Sequence, residues 1–197
     1  MSSSTSSGSS SSVSPRRRPP RLSLDPDVGA SHNLSVIQGT PLIISGKEVI
    51  LIPSLLTSLS VTHIINCLPP YPPLPGFTYL HLSLEDKVEY DPSWCFPQVL
   101  SFIGTVPPES KCLIHCNAGM SRSVLLAMVY LAAPPHSLTA LEALAKVRED
   151  RPQASPNEGF MKVVDDGSVD LEVYARDRFA DVKDLGKGNG KGEGGGM

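Results

Sequence analysis

Ile114-His115-Cys116-Asn117-Ala118-Gly119-Met120-Ser121-Arg122-Ser123 is the run on which the reading of this chain turns. Ahead of it Lys111–His115 has the length and composition of a short buried strand, and behind it Val124 to Leu131 is apolar enough for a buried helix. Strand, tight loop and helix N-terminus together make an anion site, because successive backbone N–H groups and the helix dipole converge on one spot. A thiol placed there ionises: cysteine pKa values fall to roughly 3.5–7.5 beside helix N-termini and cations. Arg122, separated from Cys116 by five residues, carries a planar fork that matches two oxygens of a phosphate. Asn117, Ala118, Gly119, Met120 and Ser121 supply loop N–H groups, and Gly119 permits a turn that other residues resist. A lone cysteine is ordinarily a small buried hydrophobe; these neighbours argue instead for a thiolate nucleophile.

Working outward, edge strands are expected near Leu34–Gln38 and Leu42–Ser45. A helix follows near Pro53–Ser58, with Val49–Ile52 open to a strand reading. Buried strands are expected at Thr62–Cys67, Thr78–Leu82 and Lys111–His115. Asp91-Pro92 reads as N-cap and first helical residue of a helix that carries Trp94, Val99, Phe102 and Ile103 inward and ends before Pro107. The helix after the loop runs to about Ala132. Ser137 is read as the cap of another, with an apolar stripe on Leu138, Leu141, Leu144, Ala145 and Arg148. Ser155-Pro156 repeats the cap-then-proline signal. Alternating helices and buried strands predict an α/β fold: one domain, a mainly parallel sheet of about five strands, and helices on both faces. The site belongs at the carboxyl ends of the strands, where Cys116 falls.

The chain has 197 residues, a formal net charge of −3 and 40% hydrophobic residues, enough for one core and no argument for nucleic-acid binding. Residues 1–33 are Ser-rich, then Pro/Arg-rich, without apolar periodicity, and are read as a disordered tail. Its basic run, with Arg16, Arg17, Arg18 and Arg21, is either a solvated stretch or a contact for an acidic docking partner. Residues 166–185 hint at an appended helix, and 186–197 are a Gly-rich flexible tail. The four cysteines lack metal-ligand spacing and no secretory leader is apparent. A reducing compartment is therefore expected, the cytoplasm with the nucleus as alternative. The apolar stretch 49–68 is interrupted by Pro53 and His63, so no membrane span is read.

The loop resembles the H-C-x5-R-[S/T] signature of cysteine-dependent protein phosphatases, and within them the dual-specificity group. Val61-Thr62-His63-Ile64-Ile65-Asn66-Cys67 is similar to that family's central strand and Leu82-Ser83-Leu84-Glu85-Asp86 to its general-acid loop. Arg151-Pro152-Gln153-Ala154-Ser155-Pro156-Asn157-Glu158-Gly159-Phe160 is similar to its C-terminal segment. The likeness covers residues 34 to about 165. It implies a phosphocysteine intermediate on Cys116, clamping of the transferring phosphoryl group by Arg122, and donation to the departing thiolate by Ser123. His115 would support the thiolate by hydrogen bonding to the loop backbone. Asp86 would be the general acid and then the base, worth roughly 10²–10⁴ in each role. Glu85 and Glu89 read as solvated, and Asp91 as a cap. Asn157 reads either as support for the phosphate loop or as an ordinary first-turn polar residue. Cys67 ends the strand expected beside the one ending at His115. It is either a redox partner for Cys116, as in some relatives, or a small buried hydrophobe. No metal and no cofactor is implied.

The expected activity is hydrolysis of phosphotyrosine and phosphoserine/phosphothreonine in a phosphoprotein substrate. The loop has no lysine, which inositide-directed relatives usually add, and it has Ser121 where glucan-directed relatives tend to carry glycine. The alternatives are a phosphate-binding scaffold with weak catalysis, or a phosphatase for a non-protein phosphate such as a phosphoinositide or phosphoglucan.

Overall fold

In the computed structural model of the chain, which describes residues 31–165, five strands form one sheet in the order β1-β2-β5-β3-β4. They are β1 (Leu34–Val36), β2 (Leu42–Ser45), β3 (Val61–Asn66), β4 (Thr78–His81) and β5 (Lys111–His115). All neighbours are parallel except β1 against β2. The helices are α1 (Pro53–Ser58), α2 (Phe96–Gly104), α3 (Arg122–Ala132), α4 (Ala140–Asp150) and α5 (Glu158–Asp165). The basic run Arg16–Arg21, the expected helix at 166–185 and the Gly-rich tail 186–197 lie outside the described residues.

The period of two along the strands sorts the core. Leu42, Ile44, Ile65, Cys112 and Ile114 face a large cluster built with α2, α3, α4 and α5. Ile43, Ile64 and Leu113, the residues between them, face a smaller cluster with Leu56 of α1 and Val49. The sheet is thus covered on both faces. β5 lies between β2 and β3, and Cys116 follows its last residue, so the thiol leaves the sheet near its middle.

Several expectations are corrected. β2 is an interior strand, because β5 pairs in parallel along its outer side through Leu42↔Cys112 to Ser45↔His115. Val49 lies in a 3-10 turn, Lys47–Leu51. Asp91 accepts from the Ser93 N–H at 2.9 Å but is not the helix cap: the segment that follows is a 3-10 turn, Ser93–Cys95, with Pro92 at its N-cap, and the α-helix begins only at Phe96. Trp94 on that segment is 57% exposed and donates its ring N–H to the Tyr90 hydroxyl at 3.2 Å. The cap of α4 is Thr139, which forms a reciprocal capping box with Glu142. Ser137 has φ +50° and cannot occupy an extended cap conformation. The shifted start moves the buried stripe to Ala140, Ala143, Leu144 and Val147 and leaves Leu141 exposed. Asn157, not Ser155, caps α5, its Oδ1 accepting from the Phe160 N–H at 3.0 Å.

Candidate active site

The loop between β5 and α3 wraps the Cys116 sulfur. Cys116 is 2% exposed, its Sγ lying 3.3 Å from Ser123 Oγ and accepting from the Gly119 N–H at 3.2 Å. Burial alone would raise its pKa. The Ser123 hydroxyl and N–H, the Gly119 N–H and the Arg122 charge together outweigh that and leave the thiol below its ordinary value. The other three cysteines, all buried, go the opposite way. Burial pushes Cys95 up to about 12, raises Cys112, and raises Cys67 with the Cys116 charge added.

The Gly119 N–H points in at the sulfur, and the loop carbonyls around it are held from outside. Asn117 O accepts from Lys47 N at 3.1 Å and Met120 O from Ser155 N at 2.8 Å. Between them Arg151, which is wholly buried, donates Nε to Gly119 O at 2.6 Å and Nη2 to Ala118 O at 3.3 Å. Asn33 donates to the same Ala118 O at 3.1 Å and accepts from Arg151 Nη2 at 2.7 Å. Residue 33 therefore belongs to the folded domain, and the tail boundary read at 1–33 is too late.

Asp86, expected as the acid, meets the loop at its rim. Its Oδ1 accepts from Ser121 Oγ at 2.7 Å and from Asn157 Nδ2 at 2.9 Å, while Oδ2 lies 3.5 Å from Arg122 Nε. Arg122 also donates Nη1 to Leu84 O at 3.3 Å. Asn157 thus contacts the expected acid itself, with its N–H also on Ser121 Oγ at 3.4 Å. Glu85 is half-exposed and paired with Lys87 at 2.6 Å, away from this junction.

His115 lies on the opposite face of the sheet from the sulfur, as the period of two requires. Its Nε2 is 3.0 Å from the Tyr71 hydroxyl, within an aromatic group that includes Tyr79 and His81. Burial pushes its pKa down to about 4, against a smaller upward pull from hydrogen bonding to the Cys116 backbone. Cys67 extends the β3–β5 pairing: its N–H donates to His115 O at 3.0 Å, and it packs in the same buried cluster as Cys116.

Tyr71, Arg151 and Asn33 were not identified by sequence reasoning. Arg151 entered the sequence reading only within the Arg151-Pro152 segment that resembles the family's, and its charged neighbours Arg148, Glu149 and Asp150 gave no sign that it is buried. Tyr71 was hidden in a proline run, and Asn33 had no local signal at all.

The sequence matches the family model for the dual specificity phosphatase catalytic domain over residues 42–166. The chain belongs to that family. It is 33% identical over 125 residues to dual specificity protein phosphatase 1 of Arabidopsis thaliana, covering 61% of this chain and 62% of the relative. It is 31% identical over 131 residues to dual specificity protein phosphatase 15 of Mus musculus, covering 62% and 54%. The chain thus spans a little over half the length of these relatives. A crystal structure of DUSP15 superposes with TM-score 0.67 at 23% identity, covering 82% of this chain and 99% of that one, a likeness of fold.

Proposed function

We propose that this chain hydrolyses phosphotyrosine and phosphoserine/phosphothreonine in proteins through a phosphocysteine intermediate. The observation that carries the reading is the Cys116 sulfur, buried at the floor of a loop whose Gly119 N–H and Ser123 hydroxyl meet it and whose rim joins Arg122 to Asp86. In the first step the Cys116 thiolate attacks phosphorus, an S–P bond forms and the P–O bond to the substrate breaks. The leaving oxygen keeps the bond's electron pair and takes a proton from Asp86. Arg122 and the loop N–H groups stabilise the equatorial oxygens. In the second step Asp86 removes a proton from water, the resulting O–P bond replaces S–P, and inorganic phosphate leaves. Ser123 Oγ, at 3.3 Å, stabilises the thiolate as it departs.

The family supports a phosphoprotein as substrate. The neutral loop does so too: apart from Arg122 it has no cation to meet the additional phosphates of an inositide. Turnover of an aryl phosphate, followed by a panel of phosphopeptides, a phosphoinositide and phosphoglucan, tests the reading. Cys116→Ser is expected to abolish turnover while retaining fold and phosphate binding, since the N–H cradle and Arg122 remain. Activity above a few per cent of wild type in that variant would refute the cysteine mechanism, and a wild type that binds phosphate without turnover would favour the scaffold reading.

A further inference from the structure

We propose that Arg151 and Asn33 are positioning residues that together clamp the phosphate loop in its anion-binding conformation. Asn33 is then part of the working site. This inference rests on the phosphatase reading above only for its kinetic arm.

The argument begins with the rigidity of the peptide unit. In a trans peptide the carbonyl of one residue and the N–H of the next point in opposite directions across one plane. Holding Ala118 O outward therefore turns the Gly119 N–H inward, and that N–H is the one found on the Cys116 sulfur at 3.2 Å. Holding Gly119 O outward does the same for the Met120 N–H. The two carbonyls in question are the ones Arg151 and Asn33 grip. Gly119 sits at φ +72°, and a Cβ there would meet Arg151 Nη2 at 2.4 Å, so the grip is possible only because the residue is glycine.

Asn33 completes the clamp from a distant part of the chain. Its Oδ1 and O accept from Arg151 Nη2 at 2.7 Å and Nη1 at 3.4 Å, and its Nδ2 reaches Ala118 O. Ser35 Oγ takes the remaining Nη1 contact at 3.3 Å. All these partners of Arg151 are neutral oxygens, and among the described residues no carboxylate pairs with it. A buried cation without a counter-ion is costly. The anion it lacks is the one this loop holds, first the thiolate and then the phosphoryl group. The Cys116 charge accordingly favours the charged form of Arg151, which burial disfavours.

The test uses the full chain with Asn33→Ala, Arg151→Lys and Arg151→Gln. Each is measured for inhibition by vanadate, for the pH midpoint of Cys116 alkylation by iodoacetate, for aryl phosphatase kinetics, and for thermal unfolding. Asn33→Ala is expected to weaken vanadate binding about tenfold, the low end for one lost hydrogen bond to a charged group, and to move the alkylation midpoint upward. Arg151→Gln should exceed it, and Arg151→Lys, which keeps the charge but not the fork, should fall between. The inference is overturned if Asn33→Ala and Arg151→Lys match wild type in vanadate affinity and alkylation midpoint, or differ from it only in melting temperature. Should Arg151→Gln fail to fold, Asn33→Ala, at a half-buried position, decides alone. Wild type that binds vanadate in an Asn33-dependent way but turns over no phosphoester would sink the enzyme reading and leave the clamp standing.

Discussion

Gly159→Ala should uncouple the candidate acid from the candidate nucleophile. Gly159 lies in the first turn of α5, two residues past Asn157, and its backbone rests directly on the loop that carries Asp86. A Cβ built there falls 1.9 Å from the Val88 carbonyl oxygen, 2.8 Å from Val88 C and 3.0 Å from Val88 Cα. All three are backbone atoms and none can rotate away. Cβ contacts are essentially never shorter than 3.0 Å, so the carbonyl must retreat by about 1.1 Å. Val88 is two residues from Asp86, whose carboxylate is held across the same junction by Asn157 at 2.9 Å. A misplacement of about 1 Å at a reacting group can cost about 10²-fold in rate. That loss should appear for an alkyl phosphoester, whose leaving oxygen needs the proton. It should be small for an activated aryl ester, and absent from vanadate affinity and the Cys116 alkylation midpoint. Stability gives an independent sign: Gly→Ala in a helix should stabilise by up to about 1 kcal/mol, whereas overpacking costs about 1–3 kcal/mol. Steady-state kinetics on both esters, with chemical denaturation, check both arms. Equal losses on the two esters, or a stabilised variant with wild-type kinetics, would refute the reasoning.

The remaining expectations are shorter. Asp86→Ala should depress turnover most for alkoxide leaving groups and trap phosphoproteins, whereas Asp91→Ala should cost about 1 kcal/mol through the lost bond to the Ser93 N–H. A larger leaving-group-dependent defect in Asp91→Ala would reverse that assignment. Burial pushes His115 down to about 4, so between the free value near 6.5 and 4 the unfolded chain is expected to bind a proton that the folded chain refuses. Stability is therefore lost as pH falls through that window, by up to about 3 kcal/mol, and is unaffected by this group above it. Melting curves of wild type and His115→Gln from pH 7 to 4.5 should converge towards acid; parallel curves would contradict the account. Mild peroxide should oxidise Cys116 to a sulfenic acid, which the Cys67 thiol then captures as a disulfide with release of water. Non-reducing peptide mapping that finds only overoxidised Cys116, with Cys67→Ser behaving as wild type, would remove the redox partnership.

What the sequence determined by itself was local. Lys111–His115 and the helix ending at Ala132 have the predicted ends, because an apolar run flanked by a loop on one side and prolines on the other leaves little freedom. Cys116, Ser123 and Gly119 come together because a strand, a six-residue turn and a helix start can close only one way around an anion. Asp86 was legible by its place after a strand. What tertiary structure decided was which distant groups face one another. The period of two put His115 on the face opposite Cys116, but only the packed sheet supplied Tyr71 as its partner. Trp94 is large and apolar, yet its turn lies on the surface and its ring N–H is satisfied by Tyr90. The helical stripe of α4 moved because one hydroxyl, Thr139, competed better for the cap than Ser137. Asn33 reaches Arg151 across 118 positions of the chain, and no local pattern encodes that meeting. Hydrogen-bonding capacity is written in the residue, but its partner is chosen by how the backbone closes in space.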